Sequence, residues 1–436
     1  MEQTEAACMH NNSSRLDNIL GSDIRTYLGG IPDNELMLML SLDERWTVVS
    51  TSIQDYPPGS QSKGRIVFTV TVDHGKKWPC PKCGNMCGVH QYETRMYQTV
   101  PILNHQTFIK AEVPKLRCRV CETYPQAEIG WARPNVSYTV DFEKAILSEV
   151  EDRPIISTAI HLDTSDHIVY DVIKYRVNEA LKKLDLSDVT TLYVDETSFK
   201  KGHRYVTVIC DEFKRIIFVC EGKDSSTIDR FYDWLVEHKG NPDNIAAVSC
   251  DMGLAYPAGI ERNFPNAKIV FDRFHVVKLV SEAFDKFYRR IMAKGELKAA
   301  RNFLRYKHLR DFSDKQKMMF ELIQSEHSEV AEAYRMKEVI YSMYDYGDKE
   351  IATAYFDTWL NSVKKNGPPE LRIAAETLES RREGIFLWYD RSINNGLSEG
   401  INSLIQTTKR IARGYRNVEN FISMCYLRNG HLDIEF

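Results

Sequence analysis

The chain twice ends an apolar run on a carboxylate, in Thr191-Leu-Tyr-Val-Asp195-Glu196 and in Ile245-Ala-Ala-Val-Ser-Cys-Asp251. Both runs are rich in residues that favour β-strands, and Gly253 permits a sharp exit after the second run. If the two strands are parallel neighbours, both carboxylates emerge at one edge of the sheet, where sites in open α/β sheets lie. The two runs therefore predict strands that end on acids at a shared site.

The residues around the two carboxylates predict the rest of a mixed sheet. Alternating runs at 205–210 and 215–220 flank a turn at 211–214, which predicts a β-hairpin. An amphipathic pattern over 227–238 predicts a helix, and the apolar run at 268–272 predicts one more strand. The resulting order, β-β-β-α-β-α-β, is that of an RNase H-like α/β core.

A third acid, Glu399, lies in a segment with helical spacing. Over 391–406 the apolar residues form one stripe, and Glu399 falls on a separate polar face with three amide side chains. Such a helix can pack by its apolar face and present Glu399 from another. The alternative is an exposed glutamate without a function, which is the common case for a single helical acid.

Three longer blocks resemble the ISL3 family of insertion-sequence transposases. They are Cys250-Asp251-Met252 with Tyr256, the segment 264–278, and Glu399-Gly-Ile-Asn402 with the basic segment 409–417. The resemblance covers roughly residues 75–430, and blocks of this length are more specific than short motifs.

The resemblance implies a DDE transposase, with Asp195, Asp251 and Glu399 as catalytic residues and as ligands of Mg²⁺ or Mn²⁺. Such an enzyme holds two cations about 3.5–4 Å apart, one activating a water or 3′-hydroxyl and one stabilising the leaving oxygen. Carboxylates suit this task because Mg²⁺ prefers oxygen ligands. The implied reaction is strand cleavage and strand transfer. The alternative is a non-catalytic, domesticated DNA-binding regulator, against which the three intact acids argue.

The same resemblance implies the partners of the chain. Double-stranded DNA is expected both as transposon ends, which are terminal inverted repeats, and as target. A homodimer is expected in the DNA complex, because two ends must be paired.

Two residues of the second block have open roles. Asp272, at the predicted strand end, and His275 could be metal ligands or could support the ligands from outside. The supporting role is favoured because histidine suits zinc or copper better than Mg²⁺ and because Asp272 can pair with Arg273. Glu196, beside Asp195, is expected to be auxiliary.

The cysteines predict one structural zinc site. Two C-x₂-C pairs, Cys80-Pro-Lys-Cys83 and Cys118-Arg-Val-Cys121, are a strong signal for a zinc ribbon. A β-hairpin between the pairs would account for their wide separation. Cys87 and His90 could each replace one ligand, but the two pairs already complete a tetrahedron.

Two groups of residues are predicted to contact DNA. Helical periodicity over 141–150 and 155–161, and a cap at Thr164-Ser165-Asp166 for a third helix, predict a helix-turn-helix. Three-helix units also serve as plain packing modules. The first group, on the third helix, consists of Lys174, Arg176 and Asn178. The second group follows Glu399 and is expected near the scissile phosphate; it consists of Lys409, Arg410, Arg413 and Arg416.

Residues 276–390 predict an all-α insertion, because Asp251 and Glu399 are much further apart in sequence than one strand-to-helix connection requires. The first part of this segment is basic, with interleaved aromatic residues. It could be a surface for the DNA backbone, or a solvated helix face whose aromatic residues fill the core.

The complete prediction is an α+β multidomain chain, with an RNase H-like α/β core interrupted by an all-α insertion and preceded by a zinc ribbon and a helix-turn-helix. Of 436 residues 43% are hydrophobic, enough for several cores, and no apolar run approaches the roughly 20 residues of a membrane span. The net charge of −4 requires DNA contacts to come from local basic surfaces. The expected location is the prokaryotic cytoplasm, with nucleoid association when bound to DNA. The predicted domains are 1–30 (flexible), 31–130 (β-hairpin and zinc ribbon), 131–186 (helix-turn-helix), 187–275 (core), 276–390 (insertion) and 391–436 (core helices).

Overall fold

The computed structural model describes residues 31–57, 61–200, 204–253, 255–292, 300–389, 397–412 and 414–436. Two compact units divide the chain, one up to Asn178 together with Ile434–Phe436, and the other spanning Glu179–Asp433. Each unit has its own hydrophobic core. The predicted flexible segment 1–30 lies outside the described residues. Among the described helices, none combines the length and the apolarity that a bilayer crossing requires.

The first unit is built on a five-stranded sheet with the strand order β1-β2-β5-β4-β3. Both predicted hairpins are confirmed, since β1 pairs with β2 and β4 pairs with β5, each in antiparallel register. The long β4–β5 hairpin joins the two cysteine pairs and accounts for the spacing between them. A short helix, α1 (Asp33–Met39), precedes the sheet. The strands are β1 (Trp46–Asp55), β2 (Gly64–Val72), β3 (Trp78–Pro79), β4 (Met86–Ile102) and β5 (His105–Arg117).

Three helices follow this sheet, close to their predicted boundaries. Side chains fix where two of them begin: Thr139 accepts a hydrogen bond from Phe142 N, and Ser165 accepts one from Ile168 N, each over 3.2 Å. Such caps satisfy amides that have no partner within the helix. The helices are α2 (Val140–Val150), α3 (Ile155–His161) and α4 (Asp166–Leu181).

The second unit contains a mixed five-stranded sheet with the strand order β10-β9-β6-β7-β8. The strands β10, β9 and β6 run parallel, whereas β6, β7 and β8 run antiparallel. The predicted hairpin and the predicted last strand are both confirmed. The strands are β6 (Thr191–Lys200), β7 (Arg204–Asp211), β8 (Ile216–Glu221), β9 (Ala247–Cys250) and β10 (Lys268–Phe271).

Helices surround this second sheet. The predicted helix α5 packs against α6, where a Cβ on Gly259 would lie only 2.9 Å from Ile228 Cβ, so glycine allows the close approach. Between 273 and 389 every described secondary-structure element is a helix, and the first of them begins at Arg273 and runs through the predicted boundary at residue 276. The helices are α5 (Ser226–Glu237), α6 (Ala255–Asn263), α7 (Arg273–Ile291), α8 (Ala300–Tyr306), α9 (Asp314–Glu326), α10 (Ser328–Met343), α11 (Lys349–Asn366), α12 (Pro369–Ser380), α13 (Arg382–Phe386), α14 (Leu397–Ile411) and α15 (Val418–Asn429).

The two outer strands of this sheet are both covered by helices. On one side α13 lies so close to β10 that a Cβ on Gly384 would be 2.6 Å from Ile269 O. On the other side Val219 N of β8 donates a hydrogen bond to the Tyr426 hydroxyl of α15 over 3.0 Å. The end of the helical segment and the last helix thus both dock on the sheet.

Candidate active site and zinc site

Asp195 lies in the middle of β6, which corrects the prediction that the strand ends on this acid. The strand β6 pairs with β9 only over 191–193, but its pairing with β7 continues to Lys200, with Asp195 opposite Val208. The backbone therefore keeps its hydrogen-bond partners beyond the acid, and the strand continues. Asp195 still lies just past the point where the parallel pairing stops.

Asp251 directly follows β9, as predicted. The parallel register pairs Tyr193 with Ser249, so Asp195 and Asp251 occupy matching positions two residues further along their strands. Their side chains are 18% and 33% exposed, and Asp195 Oδ1 accepts a hydrogen bond from Glu196 N over 2.7 Å. The small cleft beside them is lined by Tyr193, Val194, Asp195, Ser249, Cys250, Asp272 and His275.

His275 contacts both carboxylates from the first turn of α7. Its Nδ1 lies 3.2 Å from Asp251 Oδ1, and its Nε2 lies 4.0 Å from Asp195 Oδ1. Asp272 is the N-cap of the same helix, because its Oδ1 accepts a hydrogen bond from Phe274 N over 2.8 Å. The expected pairing of Asp272 with Arg273 is replaced by this cap, and Arg273 instead lies 3.8 Å from Asp345.

A third carboxylate, that of Glu196, lies beside the two aspartates. Burial raises the pKa of the neighbouring Glu196, and the charges of Asp251 and Asp195 add to the rise while Lys223 opposes it. The Lys223 ammonium lies 4.0 Å from the Glu196 carboxylate. Lys278 lowers the pKa of Glu196 as well, so basic side chains also lie close to the three acids.

Glu399 lies in the helix α14, as its periodicity predicted. Its side chain lies outside the described residues, so its distance to Asp195 and Asp251 stays a prediction. Further along α14, Lys409 Nζ donates a hydrogen bond to Thr197 Oγ1 over 2.7 Å. Thr197 shares a face of β6 with Asp195, since side chains alternate along a strand. The helix therefore docks on the strand two residues from Asp195.

The donor set at this sheet edge fits a hard divalent cation. Asp195 and Asp251 offer carboxylate oxygens, which Mg²⁺ and Mn²⁺ prefer, from matching positions on adjoining strands. Among the residues that line the described cleft, His275 offers the only side-chain nitrogen. Oxygen donors dominate, so the site suits Mg²⁺ or Mn²⁺ better than zinc.

The predicted zinc ligands come together in the first unit. The sulfur atoms of Cys80, Cys83, Cys118 and Cys121 all lie within 4.8 Å of one another, and those of Cys83 and Cys118 are 3.6 Å apart. Zn–S bonds of about 2.3 Å in a tetrahedron require sulfur separations of about 3.8 Å. The cluster therefore has the size and the ligand type of a structural zinc site.

The two cysteine pairs have the same backbone geometry. Cys80 N donates to Asn85 O over 2.9 Å, and Cys118 N donates to Thr123 O over 3.0 Å. The residue after each second cysteine is left-handed, Gly84 in one pair and Glu122 in the other. These turns direct amides at the sulfur atoms.

The amides favour the thiolate form at two of the four sulfur atoms. A backbone hydrogen bond from Asn85 lowers the pKa of Cys83, and one from Cys121 lowers the pKa of Cys118. Contacts with neighbouring sulfur atoms, that of Cys83 first, raise the pKa of Cys121 to about 12. Zinc binds cysteine as the thiolate. A bound cation would therefore offset the rise in pKa that the neighbouring sulfur atoms cause.

Cys87 and His90 stand outside the four-sulfur cluster of the described residues. The Cys87 thiol donates to Asn85 O over 3.2 Å, and burial raises its pKa to about 11. The His90 ring packs against Tyr124, with 4.8 Å between the ring centroids. The choice of the two C-x₂-C pairs as ligands agrees with this arrangement.

Arg176 occupies a place that differs from its predicted contact with DNA. The residue is 7% exposed, and its guanidinium donates to Glu143 Oε2 over 2.5 Å and to Glu435 O over 2.7 Å. Glu143 is fully buried and also accepts from Arg133. Arg176 therefore balances a buried carboxylate inside the first unit. Helical periodicity placed Arg176 on a helix. It could not show that the C-terminal residues of the chain cover the helix face on which Arg176 lies.

The other predicted DNA contacts are distributed as follows. Asn178, Arg410 and Arg416 are exposed, and Lys174 is half-buried. Arg413 lies outside the described residues. Burial lowers the pKa of Lys409, whose hydrogen bond to Thr197 is described above.

The basic start of the helical segment is partly neutralised. Asp285 is 1% exposed and accepts from Arg301 over 2.6 and 2.9 Å and from Arg305 over 3.2 Å. Arg289 forms a third ion pair with it at 3.1 Å. The neighbouring aromatic residues Phe284, Phe287 and Tyr288 are buried, as the core-filling alternative predicts, whereas Tyr306 is 65% exposed.

Comparisons with known proteins match two ranges of the chain. Residues 192–425 match a family model described as a transposase, of the ISL3 type with a DDE site. Residues 76–121 match one described as the zinc-finger of transposase IS204/IS1001/IS1096/IS1165. The first range contains Asp195, Asp251 and Glu399, and the second contains the four clustered cysteines.

Curated relatives align over most of the chain. The transposase for insertion sequence element IS1001 of Bordetella parapertussis is 26% identical over 379 residues, which cover 83% of this chain and 91% of the relative. The transposase for insertion sequence element IS1557 of Mycobacterium tuberculosis is 23% identical over 429 residues, which cover 89% and 94%. The similarity thus includes both units.

Proposed function

The chain belongs to the ISL3 family of transposases, and we propose that it binds the terminal inverted repeats of its own insertion sequence and cleaves and joins DNA with two Mg²⁺ or Mn²⁺ ions. The observation that carries this proposal is the pair of carboxylates, Asp195 and Asp251, at matching positions on adjoining parallel strands. The oxygen donor set supports a hard cation there.

We propose that the second unit contains an RNase H-like core. Its support is the order β-β-β-α-β-α-β together with a sheet in which the first strand lies at the centre. In this proposal 187–275 is the first part of the core, 276–390 is an all-α insertion, and 391–436 returns the last helices to the sheet.

In the proposed mechanism Asp195, Asp251 and Glu399 would hold the cations. The cations supply two effects when bound: they activate the attacking water or 3′-hydroxyl, and they stabilise charge on the leaving 3′-oxygen. The three side chains would act by orienting these groups in line with the scissile phosphate. Lys409, with Arg410 beyond it, would neutralise phosphates beside Asp195.

Recognition of the DNA ends is proposed for the first unit. The ribbon domain at 31–130 and a helix-turn-helix at 131–186 would contact the inverted repeats, with Lys174 and Asn178 on the third helix. Arg176 is left out of this surface because Glu143 already holds it. Two copies of the chain would pair the two ends.

The test is cleavage of a labelled duplex that contains one end of the element, by the zinc-loaded full chain with Mg²⁺ or Mn²⁺. We expect Asp251→Asn to abolish cleavage while binding of the same duplex is retained. The matched control is Asp243→Asn, which makes the same chemical change at an exposed acid outside the cleft.

Cleavage by Asp251→Asn at the rate of the unchanged chain would overturn the assignment. Equal binding and thermal unfolding of the two variants would show that any loss of cleavage is not a loss of fold. Binding without cleavage by the unchanged chain would favour the alternative, a DNA-binding regulator.

A further inference from the structure

We propose that His275 is a positioning residue that fixes the separation of Asp195 and Asp251 before a cation binds. This inference rests on the proposed function, because it assumes that the two carboxylates are metal ligands. It assigns His275 a role in preparing the site and places its ring outside the coordination sphere of the metal.

The two ring nitrogens of His275 face different carboxylates. Nδ1 lies 3.2 Å from Asp251 Oδ1, and Nε2 lies 4.0 Å from Asp195 Oδ1. An ionised carboxylate can only accept hydrogen bonds, so a ring nitrogen restrains either acid where that nitrogen carries a proton. The ring is 11% exposed, so little solvent competes for these contacts. A single side chain thus links β6 to the end of β9.

The backbone of α7 fixes the ring in this position. His275 lies in the first turn of the helix, which begins at the capping residue Asp272, and His275 N donates to Asp272 O over 3.1 Å. The next residue, Val276, is fully buried in the core of the unit, so the helix cannot rotate freely. Cap and core together hold the imidazole between the two acids.

The physical need for such a contact comes from the carboxylates themselves. Two negative groups at one edge of a sheet repel each other, and without a cation they would swing apart. A hydrogen-bond donor to one of the carboxylates restrains that motion. Binding of the metal ion then costs less conformational entropy. The ring is expected to stay in this outer position because Mg²⁺ prefers oxygen ligands over imidazole. Partners of metal ligands typically contribute about 10- to 100-fold to metal affinity.

The experiment compares His275→Ala and His275→Asn in the zinc-loaded full chain. The asparagine amide can reach Asp251 from about the place of Nδ1, whereas alanine removes both contacts. The first measurement is the affinity for Mn²⁺ by titration calorimetry without DNA. We expect a loss of about 10- to 100-fold for His275→Ala and a partial rescue by His275→Asn. Thermal unfolding of both variants shows whether the fold is kept.

Pulsed electron paramagnetic resonance of bound Mn²⁺ distinguishes positioning from ligation. We expect no directly coordinated nitrogen signal that depends on His275. A nitrogen coupling that is present in the unchanged chain and absent in His275→Ala would overturn the inference, because the ring would then be a ligand. An unchanged Mn²⁺ affinity in His275→Ala would overturn it as well.

Asp251→Asn separates this inference from the proposed function. If the unchanged chain cleaves end DNA, Asp251→Asn does not, and His275→Ala binds Mn²⁺ normally, then only the positioning role fails. If Mn²⁺ binding depends on His275 but the unchanged chain never cleaves end DNA, then the positioning role stands and the proposed function fails.

Discussion

Lys409 donates a hydrogen bond from Nζ to Thr197 Oγ1 over 2.7 Å, which joins the helix of Glu399 to the strand of Asp195. Thr197 is 5% exposed, and burial lowers the pKa of Lys409. A hydrogen bond to a charged group in a poorly hydrated place contributes more than one at the surface. This bond therefore helps to determine where α14 docks on the sheet.

The first prediction concerns this bond. Thr197→Val keeps the shape of the side chain but removes the acceptor, and we expect it to lower the free energy of unfolding by about 1–3 kcal/mol. Lys409→Met keeps a long side chain and removes the donor. If the two residues act through their bond, the double variant loses less than the sum of the single losses in urea unfolding. Strictly additive losses would contradict the coupling.

A second prediction concerns the zinc ligands. Cys80→Ser should release the zinc and destabilise the ribbon, because the four thiolates form one tetrahedral set. Cys87→Ser is the matched control, since this nearby buried thiol lies outside the cluster. Metal analysis of the purified chain should give about one zinc for Cys87→Ser and less for Cys80→Ser. The reverse result would move the site to Cys87.

A third prediction separates two roles of Asp272. As the N-cap of α7 it should tolerate Asp272→Asn, because asparagine caps helices as well as aspartate does. Asp272→Ala should lower the free energy of unfolding by about 1 kcal/mol and reduce cleavage, because the first turn carries His275. If Asp272→Asn abolished cleavage as Asp251→Asn is expected to, Asp272 would be a metal ligand.

A fourth prediction concerns pH. Lys337 is fully buried in α10, where it donates to Leu304 O over 2.8 Å, and burial lowers its pKa to about 8. An unfolded lysine titrates near pH 10.4, so between these values the folded chain binds fewer protons than the unfolded chain. The free energy of unfolding therefore gains up to about 1.4 kcal/mol per pH unit across this window.

The Lys337→Met variant provides the comparison for this slope. Methionine fills a similar volume and does not titrate, so the rise in stability with pH should be smaller in the variant. Urea unfolding of both chains between about pH 7.5 and pH 10 measures the difference. Parallel pH profiles would show that Lys337 keeps its proton throughout.

Most of the sheet that carries the candidate site could be predicted from the sequence. The apolar runs and the hairpin turn determined the strand order along the chain, and the confirmed position of Asp251 followed from the glycine after it. The end of β6 could not be predicted from its apolar run alone. Thr197 and Phe199 continue the inward-facing alternation beyond Asp195, and this weaker signal marked the longer strand.

The remaining predictions depended on contacts between residues that are far apart in the sequence. Periodicity placed Arg176 on a helix, but its burial depends on Glu143 and on the backbone of Glu435 at the far end of the chain. The motif around His275 suggested a supporting role, but only the fold brings its ring to Asp195 and Asp251. Local patterns carry no information about such pairings.

The helices over β8 and β10 have a consequence for self-association. An uncovered outer strand offers free amides and carbonyls to any other strand, and it is a common starting point for aggregation. Here Tyr426 occupies an amide of β8, and the chain around Gly384 lies against β10. Copies of this chain therefore cannot join by extending the sheet at these positions. Pairing of copies on DNA through this unit would use its helices or loops, so this sheet stays closed while the assembly forms.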